Sequence, residues 1–205
     1  MINSPAQPFN QQIRILALRL FFLSALPLIL FSRSPWTKPE WMFEILEVLG
    51  ILLIIFAVLG RFWSILYIGG HKNNAVTQEG PYSICRHPLY LFSTMGVVGL
   101  GLMLGSLILT TFLGVSAFLI LSATARREEV YLRATFGPAY ATYAARVPRI
   151  WPKPSLFQTK PMVNCSVATL RTNFADGLVF LGFIPLAELM EWVKEIGLVG
   201  TFPLY

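Results

Sequence analysis

The sequence is short of charge. Only 13% of its 205 residues are Asp, Glu, Lys or Arg, roughly half the ~25% typical of a soluble domain, which excludes a globular protein with a fully solvated shell. Cysteine is scarce as well. Cys85 and Cys165 are too few for a disulfide framework. With His71 and His87 as the two histidines, a closed zinc site would need all four residues, so no metal centre is expected. The chain also lacks an aromatic-rich basic stripe of the kind that grips nucleic acid. Its net charge of +6 and pI of about 9.6 instead read as Lys and Arg collected in loops that face the cytoplasm.

What is present is apolar. Hydrophobic residues make up 55% of the chain, and they come in runs long enough to cross a bilayer, which takes about 20 residues each. The expected fold is all-α: a polytopic membrane helix bundle of about five transmembrane helices, with residues 1–205 as one membrane-embedded domain. A first span is expected over residues 14–31, bent at Pro27. A signal peptide is the competing reading, but Arg19 interrupts the apolar run and no small-residue cleavage site follows. Pro35, Trp36, Pro39 and Trp41 suit an interfacial corner, and a second span follows over residues 42–66.

Residues 71–88 form a polar loop, after which residues 90–125 are apolar almost throughout. A single helix of that length would overshoot a hydrocarbon core of about 30 Å, so a hairpin turning near Gly105 and Ser106 is expected. Gly96, Gly99, Gly101 and Gly105 on its first arm do not spell a nucleotide-binding motif and read as sites of close helix packing. Both hairpin ends then lie on one membrane face, beside Arg61, Lys72 and Arg86 before it and Arg126, Arg127, Arg133, Arg146 and Arg149 after it. Residues 126–161 read as an amphipathic helix broken near Gly137–Pro138, followed by a proline-rich extended segment. Residues 173–192 read as a fifth span with Glu188, Glu191 and Glu195 towards the far side, or alternatively as an interfacial helix.

Two polar blocks flank the hairpin and carry the chemistry: GPYSICRHPLY from Gly80 to Tyr90, and RREEVYLRATFGPAYATYAARVPR from Arg126 to Arg149. Pro88 suits a first helical position, and the helix start it opens can receive an anion. Arg86 can grip a carboxylate with two donors. The hairpin sets Glu128 and Glu129 opposite Arg86 and His87, an arrangement that can take a zwitterionic ligand from the cytosol and an apolar substrate from the bilayer. The plainer alternative is a salt-bridged lock on the hairpin, with Tyr140 and Tyr143 anchored at headgroup level.

In these blocks the chain resembles the isoprenylcysteine carboxyl methyltransferase family, part of a wider group that includes phospholipid N-methyltransferases. The resemblance runs from about Arg61 to Pro152. It implies an integral membrane enzyme that uses S-adenosylmethionine, releases S-adenosylhomocysteine and has no Rossmann domain. By position it implies a cytoplasmic cofactor pocket of Asn74, Ala75, Val76, Thr77, Tyr82, Arg86, His87, Pro88, Leu89, Tyr90, Glu128 and Glu129. Arg61 and Glu128 would be catalytic, Arg61 at a reacting carboxylate. The acceptor it implies is a lipophilic or lipid-attached molecule entering from the bilayer, with carboxylate O-methylation favoured. An amine acceptor would instead need Glu128 or Glu129 as base. The chain departs from the family at Phe92, where glycine is common, and in its tail beyond Pro152. Two other readings stand beside this one: a nicotinamide-dependent membrane reductase of similar layout, and a non-catalytic scaffold.

Overall fold

The computed structural model describes residues 11–34, 40–68, 76–163, 165–198 and 200–204. Among them, five long helices cross between two ends of a bundle: α1 (Gln11–Phe31), α2 (Glu40–Ile68), α4 (Pro88–Met103), α5 (Leu107–Arg146) and α6 (Val167–Glu195). A one-turn helix α3 (Pro81–Ile84) precedes α4, and a 3-10 turn spans Pro154–Leu156. Three stretches are long and apolar enough to cross a membrane: Trp41–Ile68, Leu107–Arg146 and Val167–Lys194. Leu16–Phe31 and Pro88–Met103 are shorter apolar helices. The chain is therefore a polytopic helical membrane protein.

The hairpin turns where the glycine permits it. Leu104 ends α4, Gly105 adopts φ +66°, and Ser106 caps α5 by accepting the Leu109 amide at 3.1 Å. Ser34, just past α1, donates its hydroxyl to the Gly105 carbonyl at 2.8 Å and ties that end of the bundle together. At the same end a two-residue strand, β1 (Ser32–Arg33), pairs in parallel with β2 (Phe202–Pro203) in the tail. Because α6 begins at the opposite end and leads to this pairing, it runs the length of the bundle.

All five long helices contribute to one core. Ala25 and Ile29 of α1, Ile54 of α2, Val97 and Leu100 of α4, Leu113 and Ala117 of α5 and Ala187 of α6 meet there. In lipid, burial of apolar surface does not drive helices together, so close approach must. A Cβ added to Gly99 of α4 would lie 2.8 Å from the Gly50 carbonyl of α2, and one added to Gly101 would lie 2.5 Å from Thr110 of α5. Outward-facing Leu52, Leu59, Leu119 and Val179 are each more than half exposed, as lipid-facing side chains are.

The helix after the hairpin is no separate element. It continues the second arm without a break as far as Gly137, where φ is +51° and Pro138 follows. Residues 107–125 suffice to cross the hydrocarbon at 1.5 Å per residue. Arg126 and Arg127 therefore mark its edge, and Glu128 onward stands outside it.

Candidate functional site

The site forms where the segment after α5 doubles back along α3 and the start of α4. Three backbone bonds stitch the two together: the Arg86 amide donates to the Pro148 carbonyl at 2.9 Å, the His87 amide to Arg149 at 3.1 Å and the Lys153 amide to Ile84 at 2.9 Å. Farther along, the Gly80 amide donates to Gln158 at 2.8 Å, and Ser83 Oγ accepts the Gln158 amide at 3.1 Å. The prolines at 148, 152 and 154 cannot donate, which leaves this strap extended and its carbonyls open to α3.

The two glutamates of the second block part company here. Adjacent residues on a helix point about 100° apart, and one of them turns inward. Glu129 is 3% exposed. Arg149 grips it bidentately, Nε to Oε1 at 3.0 Å and Nη2 to Oε2 at 2.8 Å. Arg86 reaches Oε1 at 3.1 Å and His87 Nε2 at 3.2 Å. Burial alone would raise the Glu129 pKa, but the hydrogen bonds from His87 and Arg149 and the charge of Arg86 bring it down to about 2.

Glu128 remains accessible, its side chain 37% exposed. It accepts the Tyr90 hydroxyl at 2.9 Å, and His87 Nδ1 stands 3.8 Å from the same oxygen. The rings of His87 and Tyr90 stack at 5.5 Å, only 8° from parallel. Glu129 makes the salt-bridged lock expected as the plainer alternative, and Glu128 keeps an exposed side chain beside it.

Tyr82 lies beneath, 5% exposed, and its hydroxyl is buried with no hydrogen-bond partner among the described residues. Burial first, and then the nearby Glu128 charge, push its phenol well above the ordinary range, so it keeps its proton. A buried donor left unsatisfied costs about 1–3 kcal/mol and suits a ligand that arrives with an acceptor.

Tyr140 and Tyr143 correct the expectation that they anchor at headgroup level. They are 1% and 4% exposed, packed with Val147 against Val76 and Phe136, and the Tyr143 hydroxyl donates to the Tyr82 carbonyl at 2.8 Å.

The remaining candidates divide. Pro88 is buried at the first position of α4, and Leu89 lies beside it, its carbonyl accepting the Ser93 hydroxyl at 2.7 Å. Arg61 donates to the Ser93 hydroxyl, and its guanidinium lies 5.4 Å over the Phe180 ring of α6, about a turn further along α4 than Tyr90. Val76 and Thr77 line a cavity of about 670 Å³ together with Gln78, Arg146, Gln158 and Lys160. None of Arg86, His87, Tyr90 and Glu128 is among its lining residues, so these two candidates stand apart from the cluster. Asn74 and Ala75, like His71, lie outside the described residues. Sequence reasoning counted Arg149 only as a loop cation. Its position next to Pro148, within a segment that returns along the motif, is the signal that could have marked it.

Residues 45–139 match the family model for phospholipid methyltransferase. Two relatives align over nearly the whole chain. The cobalt-zinc-cadmium resistance protein CzcN of Cupriavidus metallidurans is 36% identical over 91% of this chain and 85% of its own. The nickel-cobalt-cadmium resistance protein NccN of Alcaligenes xylosoxydans xylosoxydans is 33% identical over 98% of this chain and 93% of its own. No solved structure matches the chain.

Proposed function

Because the chain belongs to the phospholipid methyltransferase family, we propose that it transfers a methyl group from S-adenosylmethionine, at the cytoplasmic membrane face, to a lipidic or isoprenylcysteine-like acceptor, with a carboxylate oxygen favoured. The observation that carries this is the division of the glutamate pair. Glu129 consumes Arg86 and Arg149, while Glu128 keeps an accessible carboxylate near the buried Tyr82 hydroxyl, which has no partner among the described residues.

These residues fit the cofactor's groups. Glu128 would hold its ammonium, the Tyr82 hydroxyl would donate to one of its oxygens, and His87 and Tyr90 would form the wall. When bound, the cofactor supplies a methyl already made electrophilic by the sulfonium. The protein's part is to align donor and acceptor and exclude water. Transfer of that methyl to an acceptor carboxylate would give a methyl ester and S-adenosylhomocysteine. A carboxylate acceptor carries no proton to remove, so no base is required. Arg61, steadied by Ser93 and Phe180, would orient it by charge.

The two relatives are named for metal resistance. On this reading a chain of their family would act in that setting by modifying a membrane-borne acceptor.

Calorimetry on detergent-purified protein tests the reading, with S-adenosylmethionine and S-adenosylhomocysteine against NADPH. Micromolar binding of the first two, weakened at least tenfold in His87→Ala and Glu128→Ala, is the expected result. Binding of NADPH alone overturns it in favour of a reductase. Folded protein that binds none of the three overturns it in favour of a scaffold.

A further inference from the structure

The stretch that matches the family ends at residue 139, ten residues before Arg149. Yet Arg149 holds His87 twice. Its carbonyl accepts the His87 amide at 3.1 Å. Its guanidinium spans both oxygens of Glu129, whose Oε1 in turn faces His87 Nε2 at 3.2 Å. Glu129 Oε2 has no partner besides Arg149 among the described contacts. Without that grip the carboxylate plane is free to turn, because the terminal torsion of a glutamate is broad.

The consequence travels outward. An ionised Glu129 can only accept, so the proton shared with His87 sits on Nε2 and the ring plane is fixed. Tyr90 stacks on that ring, and the Tyr90 hydroxyl sets one oxygen of Glu128. Arg149, its own side chain 38% exposed, therefore lies four contacts from the Glu128 carboxylate and makes no direct one with it among the described contacts.

We propose that Arg149 is a positioning residue: by clamping Glu129 it fixes the tautomer and plane of His87, and through Tyr90 the setting of Glu128. The proposal rests on the methyltransferase reading for its ligand but not for its geometry. A lysine offers one compact donor group where the clamp needs a planar fork, so Arg149→Lys should fail almost as badly as Arg149→Met.

The test has two readouts on full-length protein in detergent. The first is S-adenosylhomocysteine affinity by calorimetry for wild type, Arg149→Met, Arg149→Lys, Glu129→Gln and the Glu129→Gln/Arg149→Met double variant. The second is the ¹⁵N spectrum of labelled histidine in a His71→Gln background, which leaves His87 as the single histidine. Expected are a tenfold or greater loss in both Arg149 variants, no further loss when Glu129→Gln is combined with Arg149→Met, and a single Nε2-protonated tautomer that becomes mixed in the variants. Affinity within twofold of wild type, or an unchanged tautomer, overturns the proposal. Failure of both Arg149 variants to fold also overturns it, since Arg149 would then be a structural lock. Wild type that binds no S-adenosylhomocysteine sinks the methyltransferase reading instead, and the tautomer signal still decides whether Arg149 positions His87.

Discussion

Phe92 of α4 fills the space that Gly60 of α2 leaves empty. A Cβ on Gly60 would fall 2.2 Å from the Phe92 ring, which is 7% exposed and meets Phe56 edge-on at 5.8 Å. The bulk of Phe92 is thus matched by a glycine on the neighbouring helix.

That pairing makes the two positions interdependent. Gly60→Ala should lower thermal stability sharply, because the methyl would have to displace a buried ring. In a Phe92→Ala background the same change should cost little, with a coupling energy in the range of about 0.5–3 kcal/mol. Melting of the four proteins in one detergent checks it, and additive effects would refute the pairing.

Tyr82→Phe separates a ligand contact from a structural one. The Tyr82 hydroxyl is buried without a partner among the described residues, so its removal should leave the melting temperature of the ligand-free protein unchanged or slightly higher. If the cofactor takes that hydrogen bond, S-adenosylhomocysteine binding should weaken roughly 2- to 10-fold. Lower stability with unaltered affinity would show that the phenol serves the fold alone.

The pH dependence of Glu129 has a definite sign. Its carboxyl is brought down from 4.5 to about 2 in the folded protein by partners that outweigh burial: the hydrogen bonds of His87 and Arg149 and the charge of Arg86. A depressed pKa favours the folded state fully above the ordinary value, and the benefit fades as pH falls from 4.5 towards 2. The melting temperature of wild type should exceed that of Glu129→Gln by a constant margin from neutral pH to about 5 and by less at about 3. A margin that does not shrink on acidification would contradict it.

The two cysteines should differ in reactivity. Cys165 is exposed. Cys85 is 1% exposed, its thiol donates to the Ile150 carbonyl at 3.0 Å, and burial pushes its pKa up to about 11. Maleimide at neutral pH should add once to folded protein and not at all to Cys165→Ser, as read by intact mass. Rapid labelling of Cys165→Ser would mean that the strap opens.

The hairpin was legible because its signals are local: a long apolar run, Gly105 at the one place a positive φ is needed, and basic residues on both flanks. The meeting of the His87 and Glu128 blocks follows from that hairpin alone. The division between Glu128 and Glu129 was not legible, since neighbouring residues in one helix look alike until the strap decides which of them is enclosed. Tyr140 and Tyr143 misled for the same reason, as amphipathic residues near a membrane edge suit either a headgroup layer or a small protein core. The match of Phe92 to Gly60 spans two helices and leaves no mark at either position. The pairing of Ser32–Arg33 with Phe202–Pro203 joins distant segments too short to read as strands.

The shortness of α4 is absorbed within the bundle. Its 16 residues rise only about 24 Å, against roughly 30 Å of hydrocarbon, whereas α2 and α6 at 29 residues each can meet that thickness by tilting. No residue of α4 is exposed, so α2, α5 and α6 packed around it face the lipid in its place, and α4 can begin at Pro88 inside the bundle without the bilayer having to thin.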